Sequence, residues 1–189
     1  MEFSGKKVTV VGTGISGIGA VGLLNAVGAE VVLYDGNEKL KIEDIEKKIG
    51  TYKAEIVLGE LTKELTDSSD LLVISPGVPI DSPVVKAFEA AGVPVWGEVE
   101  LAYAFDKGKV LAITGTNGKT TTTALVGQIV GAYHKDTFVV GNIGNPYTTE
   151  VLKSNKDSYT VAEISSFQLE TVHEFHPLVS AILNITPDH

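Results

Sequence analysis

Apolar and polar positions along the chain follow two alternating patterns. Short β-branched runs such as Val8–Val11 and Val31–Tyr34 predict buried strands. Between them, Ala20, Leu23, Leu24 and Val27 recur at helical spacing, and Ile42, Ile45 and Ile49 mark a second, charged helix. Further strands are predicted at 56–58, 71–74 and 95–96. Strands that alternate with helices are typical of βαβ units in a parallel sheet.

The same pattern starts again after the segment Gly97–Phe105, which we predict to be a domain boundary. Val110–Ile113 predicts a buried strand, followed by a polar glycine loop. The next helix is predicted to have Leu125, Ile129 and Ala132 on one apolar face. Three more strands are predicted at Phe138–Val140, Tyr159–Ala162 and Val179–Ile185. A domain rarely ends directly after a strong strand, so we expect the second domain to be incomplete in this sequence.

Charge and composition exclude several classes of protein. The chain has 15 basic residues, all of them lysine, and 24 acidic ones, which gives a net charge of −9. This balance argues against duplex nucleic-acid readout, in which arginine makes the commonest base contact. The absence of cysteine excludes disulfides, thiolate zinc sites and a cysteine nucleophile, and it fits a reducing cytoplasm.

Targeting and membrane segments are also not expected. Glycines interrupt the uncharged stretch after Lys6 and Lys7, so that stretch does not resemble a signal peptide. No apolar run approaches the roughly 18 residues that a membrane span needs. We therefore predict a cytoplasmic protein, expected to be monomeric, without nucleic-acid or membrane partners.

The first glycine cluster contains Gly12, Gly14 and Gly17 in a G-x-G-x-x-G pattern between a predicted strand and a predicted helix. Such glycines let the backbone approach a phosphate, and the free N–H groups of the helix start attract negative charge. Asp35 ends the next strand, where it could contact a ribose or a base. Two alternatives stay open: the glycines could serve helix–strand packing alone, and Asp35 could be a turn residue.

The second glycine loop, at residues 115–120, ends in Gly118, Lys119 and Thr120 as a P-loop does. It is a variant, because Ile113 occupies the position of the first glycine of the strict pattern. Its N–H groups are expected to cradle phosphates, with Lys119 at the terminal phosphates and the Thr120 hydroxyl on Mg²⁺. The alternative is a chance G-K-T sequence with a solvated lysine.

Polar residues follow several of the predicted strands. Glu163 ends a strand that looks buried, and in parallel sheets ligands gather at the carboxyl ends of strands. A carboxylate there would face the phosphate loop and suit Mg²⁺, a hard cation that prefers oxygen ligands. Asn142 and His189 also follow strands, although each alone is more often a turn or structural residue. The fold class predicted is α/β: an N-terminal Rossmann-like parallel-sheet domain, then part of a P-loop-type α/β ATPase domain.

Five segments together resemble the Mur ligase family. They are SPGVP at 75–79, GTNGKT at 115–120, GNIG at 141–144, EISSFQLE at 163–170 and NITPDH at 184–189. The GTNGKT and NITPDH types are shared with folylpolyglutamate synthetases, which lack the N-terminal nucleotide-like domain expected here. The resemblance covers the whole chain in order, and SPGVP and EISSFQLE point to the branch that adds D-glutamate.

The resemblance implies an ATP- and Mg²⁺-dependent ligase of peptidoglycan synthesis, which adds D-glutamate to UDP-N-acetylmuramoyl-L-alanine through an acyl phosphate. It implies a UDP-substrate-binding domain over residues 1–97 and the first part of the central ATP-binding domain over 98–189. Lys119, Glu163 and His189 would be catalytic, and Thr120, Glu163 and His189 would bind metal. ATP would contact Gly115, Thr116, Asn117, Gly118, Lys119, Thr120 and Thr121. The UDP-sugar substrate would contact Ile15, Ser16, Asp35, Ser75, Asn142, Ser165 and Gln168.

Members of this family are longer than the present sequence. The rest of the central domain, a carbamylated lysine and a C-terminal domain have no counterpart in it, so we expect this chain alone to be inactive. Two other readings stay open. An NAD-dependent oxidoreductase would explain the first glycine cluster but not the second loop, and a non-catalytic nucleotide-binding fragment would explain both.

Overall fold

The computed structural model describes residues 2–187, which form nine strands and eight α-helices. The strands are β1 Lys7–Val11, β2 Glu30–Asp35, β3 Glu55–Leu58, β4 Leu71–Ile74, β5 Val95–Gly97, β6 Lys109–Thr114, β7 Thr137–Gly141, β8 Tyr159–Glu163 and β9 Val179–Ile182. The helices are α1 Ile15–Ala26, α2 Ile42–Ile49, α3 Lys63–Ser68, α4 Pro83–Ala90, α5 Glu98–Tyr103, α6 Lys119–Tyr133, α7 Tyr147–Glu150 and α8 Ser166–Leu169, with a 3₁₀ turn at Val151–Lys153. The predicted α/β class is therefore confirmed.

The first sheet has five parallel strands in the order β3-β2-β1-β4-β5. In register, Val11 lies opposite both Tyr34 of β2 and Ile74 of β4. The strand order reverses beside β1, which creates a crevice at the carboxyl ends of β1 and β4. The first glycine cluster and Ser75 follow strands at this edge, and Asp35 is the last residue of β2.

The second sheet has four parallel strands in the order β7-β8-β6-β9. Glu163 at the end of β8 lies opposite Ile113 of β6 on one side and Gly141 of β7 on the other. This register brings three features to one edge of the sheet: the second glycine loop after β6, Asn142 after β7, and Glu163 at the end of β8.

The two sheets share one apolar cluster. It includes Val8 and Val10 of β1, Ala112 of β6 and Ala162 of β8. Helix α5 lies in the segment predicted as a boundary, and its Leu101 is fully buried in this cluster. The division into residues 1–97 and 98–189 stays a prediction, because α5 packs on elements of both halves.

Helix α6 differs from its prediction in the face that it buries. Leu125 and Ile129 are each 54% exposed, and Ala132 is exposed too, so the predicted apolar face does not pack against the sheet. The helix packs through Thr123 and Gly127 instead. A β-carbon on Gly127 would lie 2.4 Å from a methyl carbon of Val139, so glycine permits close approach to β7.

Two other differences concern short elements. The last strand ends at Ile182 and not at Ile185. The sequence pattern does not predict helices α3, α5, α7 and α8, because four to six residues are too few to show a helical period. Within residues 2–187, no helix is both long enough and apolar enough to cross a membrane.

The buried carboxylate of Glu100 anchors the segment that leads to β9. It accepts hydrogen bonds from the backbone N–H groups of His173 (2.8 Å), Glu174 (2.8 Å) and Phe175 (3.2 Å). We expect Glu100→Ala to lower the free energy of unfolding by about 2 kcal/mol, because three backbone donors lose their acceptor. Urea unfolding measures this, with the exposed Glu174→Ala as a control of equal charge change. Equal effects of the two substitutions would contradict the anchoring role.

Candidate active site

The first glycine turn is built so that only glycine fits at two of its positions. Gly12 has φ of +105°, which L side chains rarely adopt, and a β-carbon on Gly17 would lie 1.9 Å from the Gly12 carbonyl oxygen. Gly14 is the N-cap of α1, and Ile15 (80% exposed) and Ser16 are its first residues. The first N–H groups of this 12-residue helix have no partner within it, which favours an anion at this end.

Asp35 and Ser75 flank this turn from the neighbouring strands. One oxygen of Asp35 accepts hydrogen bonds from the Thr13 N–H (3.3 Å) and hydroxyl (3.0 Å), and the other accepts from the N–H of Asn37 (3.1 Å). Ser75 Oγ lies 2.8 Å from the place of a Gly12 β-carbon and is buried without a partner among the described residues. Asp35 therefore shapes the turn, and the Ser75 hydroxyl is free for a ligand.

A cleft of about 510 Å³ opens between the loop after β4 and helix α8. Its polar lining includes Ser75, Glu98 and Gln168. One wall is formed by residues after β4 of the first sheet, and the other by residues after β8 of the second sheet. The cleft therefore lies between the two halves of the chain. Its size suits a ligand larger than a phosphate group.

Glu98 is a residue that sequence reasoning missed. It is 3% exposed, Oε1 accepts a hydrogen bond from Gln168 Nε2 (2.9 Å), and Oε2 has no partner within residues 2–187. Burial raises the pKa of Glu98, while the nearby Ser16 side chain and the hydrogen bond from Gln168 partly oppose the rise. It directly follows β5, so the rule that predicted Asp35 and Glu163 could have found it.

The raised pKa of Glu98 makes stability depend on pH. Its contribution is complete below the ordinary carboxyl pKa of 4.5 and is lost as pH rises through the higher folded-state pKa. The stability of the wild type relative to Glu98→Gln should therefore be highest in mild acid and fall toward neutral pH. Thermal melts across pH 4–8 measure this difference, with Glu89→Gln, at an exposed position of α4, as the control. A difference that does not vary with pH would refute the prediction.

Ser165 and Gln168 form a reciprocal cap at the start of α8. Ser165 Oγ accepts from the Gln168 N–H (3.3 Å), and Gln168 Oε1 accepts from the Ser165 N–H (2.8 Å). Gln168 is only 4% exposed, and its amide also bonds Glu98. Its direct contact with substrate stays a prediction, and the geometry gives it a role in positioning α8.

The second glycine loop connects β6 to the 15-residue helix α6. Gly115 and Gly118 have φ of +139° and +84°, so both need the freedom of glycine. Lys119 begins the helix, and its ammonium group donates to the carbonyl oxygens of Gly115 (2.6 Å) and Thr116 (3.0 Å). Thr120 and Thr121 follow it and are exposed. The Lys119 side chain thus lies against the loop that is predicted to bind phosphates.

Glu163 stands beside this loop with one oxygen engaged. It is 1% exposed, and Oε1 accepts from Asn142 Nδ2 (3.1 Å) while Asn142 N donates to the Glu163 carbonyl oxygen (3.0 Å). Its Oε2 is buried without a partner among the described residues. A buried carboxylate oxygen without a donor is a fitting ligand for a hard cation.

The donor set for a metal ion is small in the part of the chain that the structure describes. No group of three or more histidine, aspartate or glutamate side chains converges in residues 2–187. Glu163 Oε2 and the exposed Thr120 hydroxyl suit Mg²⁺, which usually takes one or two carboxylates plus phosphate oxygens and water. The prediction for His189 lies outside the described residues.

Two parallel sheets with glycine loops at their carboxyl edges, one of them leading through Lys119 into a long helix, define an α/β protein of the parallel-sheet class. The chain belongs to the Mur ligase family, because two models of that family match it in succession. The model described as "Mur ligase MurD-like, N-terminal domain" matches residues 6–97, and "Mur ligase middle domain" matches residues 113–189.

Curated relatives agree with this assignment. A UDP-N-acetylmuramoylalanine–D-glutamate ligase from Lachnospira eligens is 71% identical over 189 residues, and one from Lachnoclostridium phytofermentans is 59% identical over 190. Both alignments cover 100% of this chain and 42% of the relative. The chain therefore spans less than half the length of the relatives it matches.

A solved structure supports the fold alone. The UDP-N-acetylmuramate:L-alanyl-gamma-D-glutamyl-meso-diaminopimelate ligase from Neisseria meningitides has a TM-score of 0.59 to this chain at 18% identity. The superposition covers 98% of this chain and 62% of that one.

Proposed function

We propose that this chain is the nucleotide- and substrate-binding part of a ligase that adds D-glutamate to UDP-N-acetylmuramoyl-L-alanine with ATP. The observation that carries the proposal is that two groups lie at the same sheet edge. One is Lys119 in the second glycine loop, and the other is the buried carboxylate of Glu163, whose Oε2 has no partner among the described residues. The names of the relatives support the choice of substrate. We also propose that the protein acts as a monomer.

In the proposed reaction the substrate carboxylate attacks the γ-phosphorus of ATP, and the bond to the β-phosphate oxygen breaks, which gives an acyl phosphate and ADP. The amine of D-glutamate then attacks the acyl carbon, loses a proton and expels phosphate. Such phosphoryl transfer depends on positioning and charge neutralisation. Lys119 would move from the loop carbonyls that it now contacts to the phosphate oxygens.

Mg²⁺ would be held by Glu163 Oε2 and the Thr120 hydroxyl, and it would neutralise charge on the phosphates. Asn142 would fix the Glu163 carboxylate, since its amide holds Oε1 and leaves Oε2 free. These roles fit the burial of Glu163, because an unpaired buried carboxylate is costly until a cation compensates it.

The UDP-sugar would occupy the cleft and the first glycine turn. Its diphosphate would bind N–H groups at the start of α1, near Ile15 and Ser16, with the free Ser75 hydroxyl as a further donor. Asp35 would contact the uracil from the strand beside the turn. Gln168 would contribute from the wall that α8 forms, and Asn142 and Ser165 would contact the substrate beyond the cleft, after β7 and β8.

The test uses the full gene product that contains this chain. Phosphate release should require ATP, Mg²⁺, UDP-N-acetylmuramoyl-L-alanine and D-glutamate together. The rival NAD-dependent oxidoreductase rests on the G-x-G-x-x-G turn, so isothermal titration with NADH is run beside the UDP-sugar. Tight NADH binding, no response to the UDP-sugar and no turnover would reject the proposed function.

A further inference from the structure

The segment after β9 closes over the phosphate loop through Asn184. The side chain of Asn184 accepts a hydrogen bond from the N–H of Asn117 (2.9 Å) and donates one to the carbonyl oxygen of the same residue (2.8 Å). The Asn184 backbone carbonyl accepts from the N–H of Thr116 (3.0 Å). One residue thus binds the backbone of two consecutive residues of the loop.

Two neighbouring contacts hold the same arrangement. The Thr116 hydroxyl accepts from the N–H of Thr186 (3.0 Å) and donates to its carbonyl oxygen (3.1 Å). A β-carbon on Gly115 would lie 3.1 Å from the backbone nitrogen and oxygen of Asn184, so the two segments pack closely. The loop is therefore supported from β9, the strand next to β6 in the sheet.

These bonds limit which N–H groups can meet a ligand. The N–H groups of Thr116 and Asn117 donate to Asn184. The N–H groups of residues 119–121 lie in the first turn of helix α6, so they have no hydrogen-bond acceptor within the helix. The phosphate cradle would then begin at Gly118, a shorter stretch than residues 115–121.

We propose that Asn184 is a positioning residue that holds the phosphate loop in its nucleotide-binding shape and assigns the phosphates to the N–H groups from Gly118 onward. This proposal rests on the proposed function, since the ligand at the loop is taken to be ATP. An amide suits the position because it donates and accepts at once. Aspartate could accept from the Asn117 N–H but would face the Asn117 carbonyl with a second acceptor.

The experiment measures ATP binding by isothermal titration of the full gene product with Mg²⁺, for the wild type, Asn184→Ala and Asn184→Asp. We expect both substitutions to weaken ATP binding by roughly tenfold or more, because the loop loses a two-way clamp. Affinity for UDP-N-acetylmuramoyl-L-alanine should stay within about twofold, a split that general unfolding would not give.

Asn155→Ala is the matched control. Asn155 also uses its amide in both directions, toward Asp136 and the N–H of Asp157, but it precedes β8 at the opposite edge of the sheet. It should leave ATP affinity unchanged. Unchanged ATP affinity in Asn184→Ala, or an equal loss for both ligands, would overturn the proposal.

Failure of the two proposals can be told apart. Wild-type protein that binds ATP without D-glutamate-dependent phosphate release rejects the ligase reaction, and the effect of Asn184→Ala on ATP binding still decides the role of Asn184. Wild-type protein that does not bind ATP rejects both.

Discussion

Lys119→Ala and Glu163→Ala are each expected to lower turnover of the full gene product by about 10²-fold or more. Each change removes compensation for the negative charge on the transferring phosphoryl group, and transition-state contacts of this kind have that magnitude. Thr120→Ala should cost less, because water can replace one hydroxyl on Mg²⁺. The measurement is phosphate release at saturating ATP, Mg²⁺ and both substrates.

Glu163→Gln separates charge from shape in this prediction. A glutamine carbonyl can still accept from the Asn142 amide, whereas the negative charge and the second carboxylate oxygen are lost. We therefore expect Glu163→Gln to be about as inactive as Glu163→Ala, with a melting temperature near that of the wild type. Lys156→Ala, an exposed lysine beyond the other edge of the sheet, is the control for Lys119. Near-wild-type turnover of folded Glu163→Ala would exclude Glu163 from the site.

The positions of Asp35, Ser75, Asn142 and Glu163 could be predicted because they depend on a local rule. Each one follows a β-branched run, and parallel strands collect their carboxyl ends at one edge. In these four strands the hydrophobic run predicts the end of the strand to within one residue, which suffices for this purpose. The same rule, applied to β5, would have drawn attention to Glu98.

The role of Asn184 could not be predicted in the same way. It depends on β9 lying next to β6, and a sequence pattern does not give the order of strands in a sheet. The side of α6 that packs against the sheet could not be predicted for a related reason. Helical spacing of Leu125 and Ile129 predicts a helix, but which side packs is set by the close approach of Gly127 to Val139.

Gly141 sits at the end of β7, where backbone geometry supports the candidate metal ligand. Its φ is +102°, and a β-carbon would lie 2.2 Å from the carbonyl oxygen of Glu163, its register partner on β8. That same oxygen accepts the N–H of Asn142 at 3.0 Å. A side chain at residue 141 would therefore push apart the two strand ends that carry Asn142 and Glu163.

Gly141→Ala is accordingly expected to lower the free energy of unfolding by about 3 kcal/mol or more. Left-handed backbone costs an L residue about 1–2 kcal/mol, and overpacking against fixed backbone adds about 1–3 kcal/mol. Gly131→Ala is the matched control, because this glycine is exposed within α6 and a β-carbon there would meet nothing closer than 3.9 Å. Alanine should stabilise that helix position by up to about 1 kcal/mol. Urea unfolding of both variants measures the difference, and a Gly141→Ala protein as stable as Gly131→Ala would show that β7 and β8 can separate there without cost.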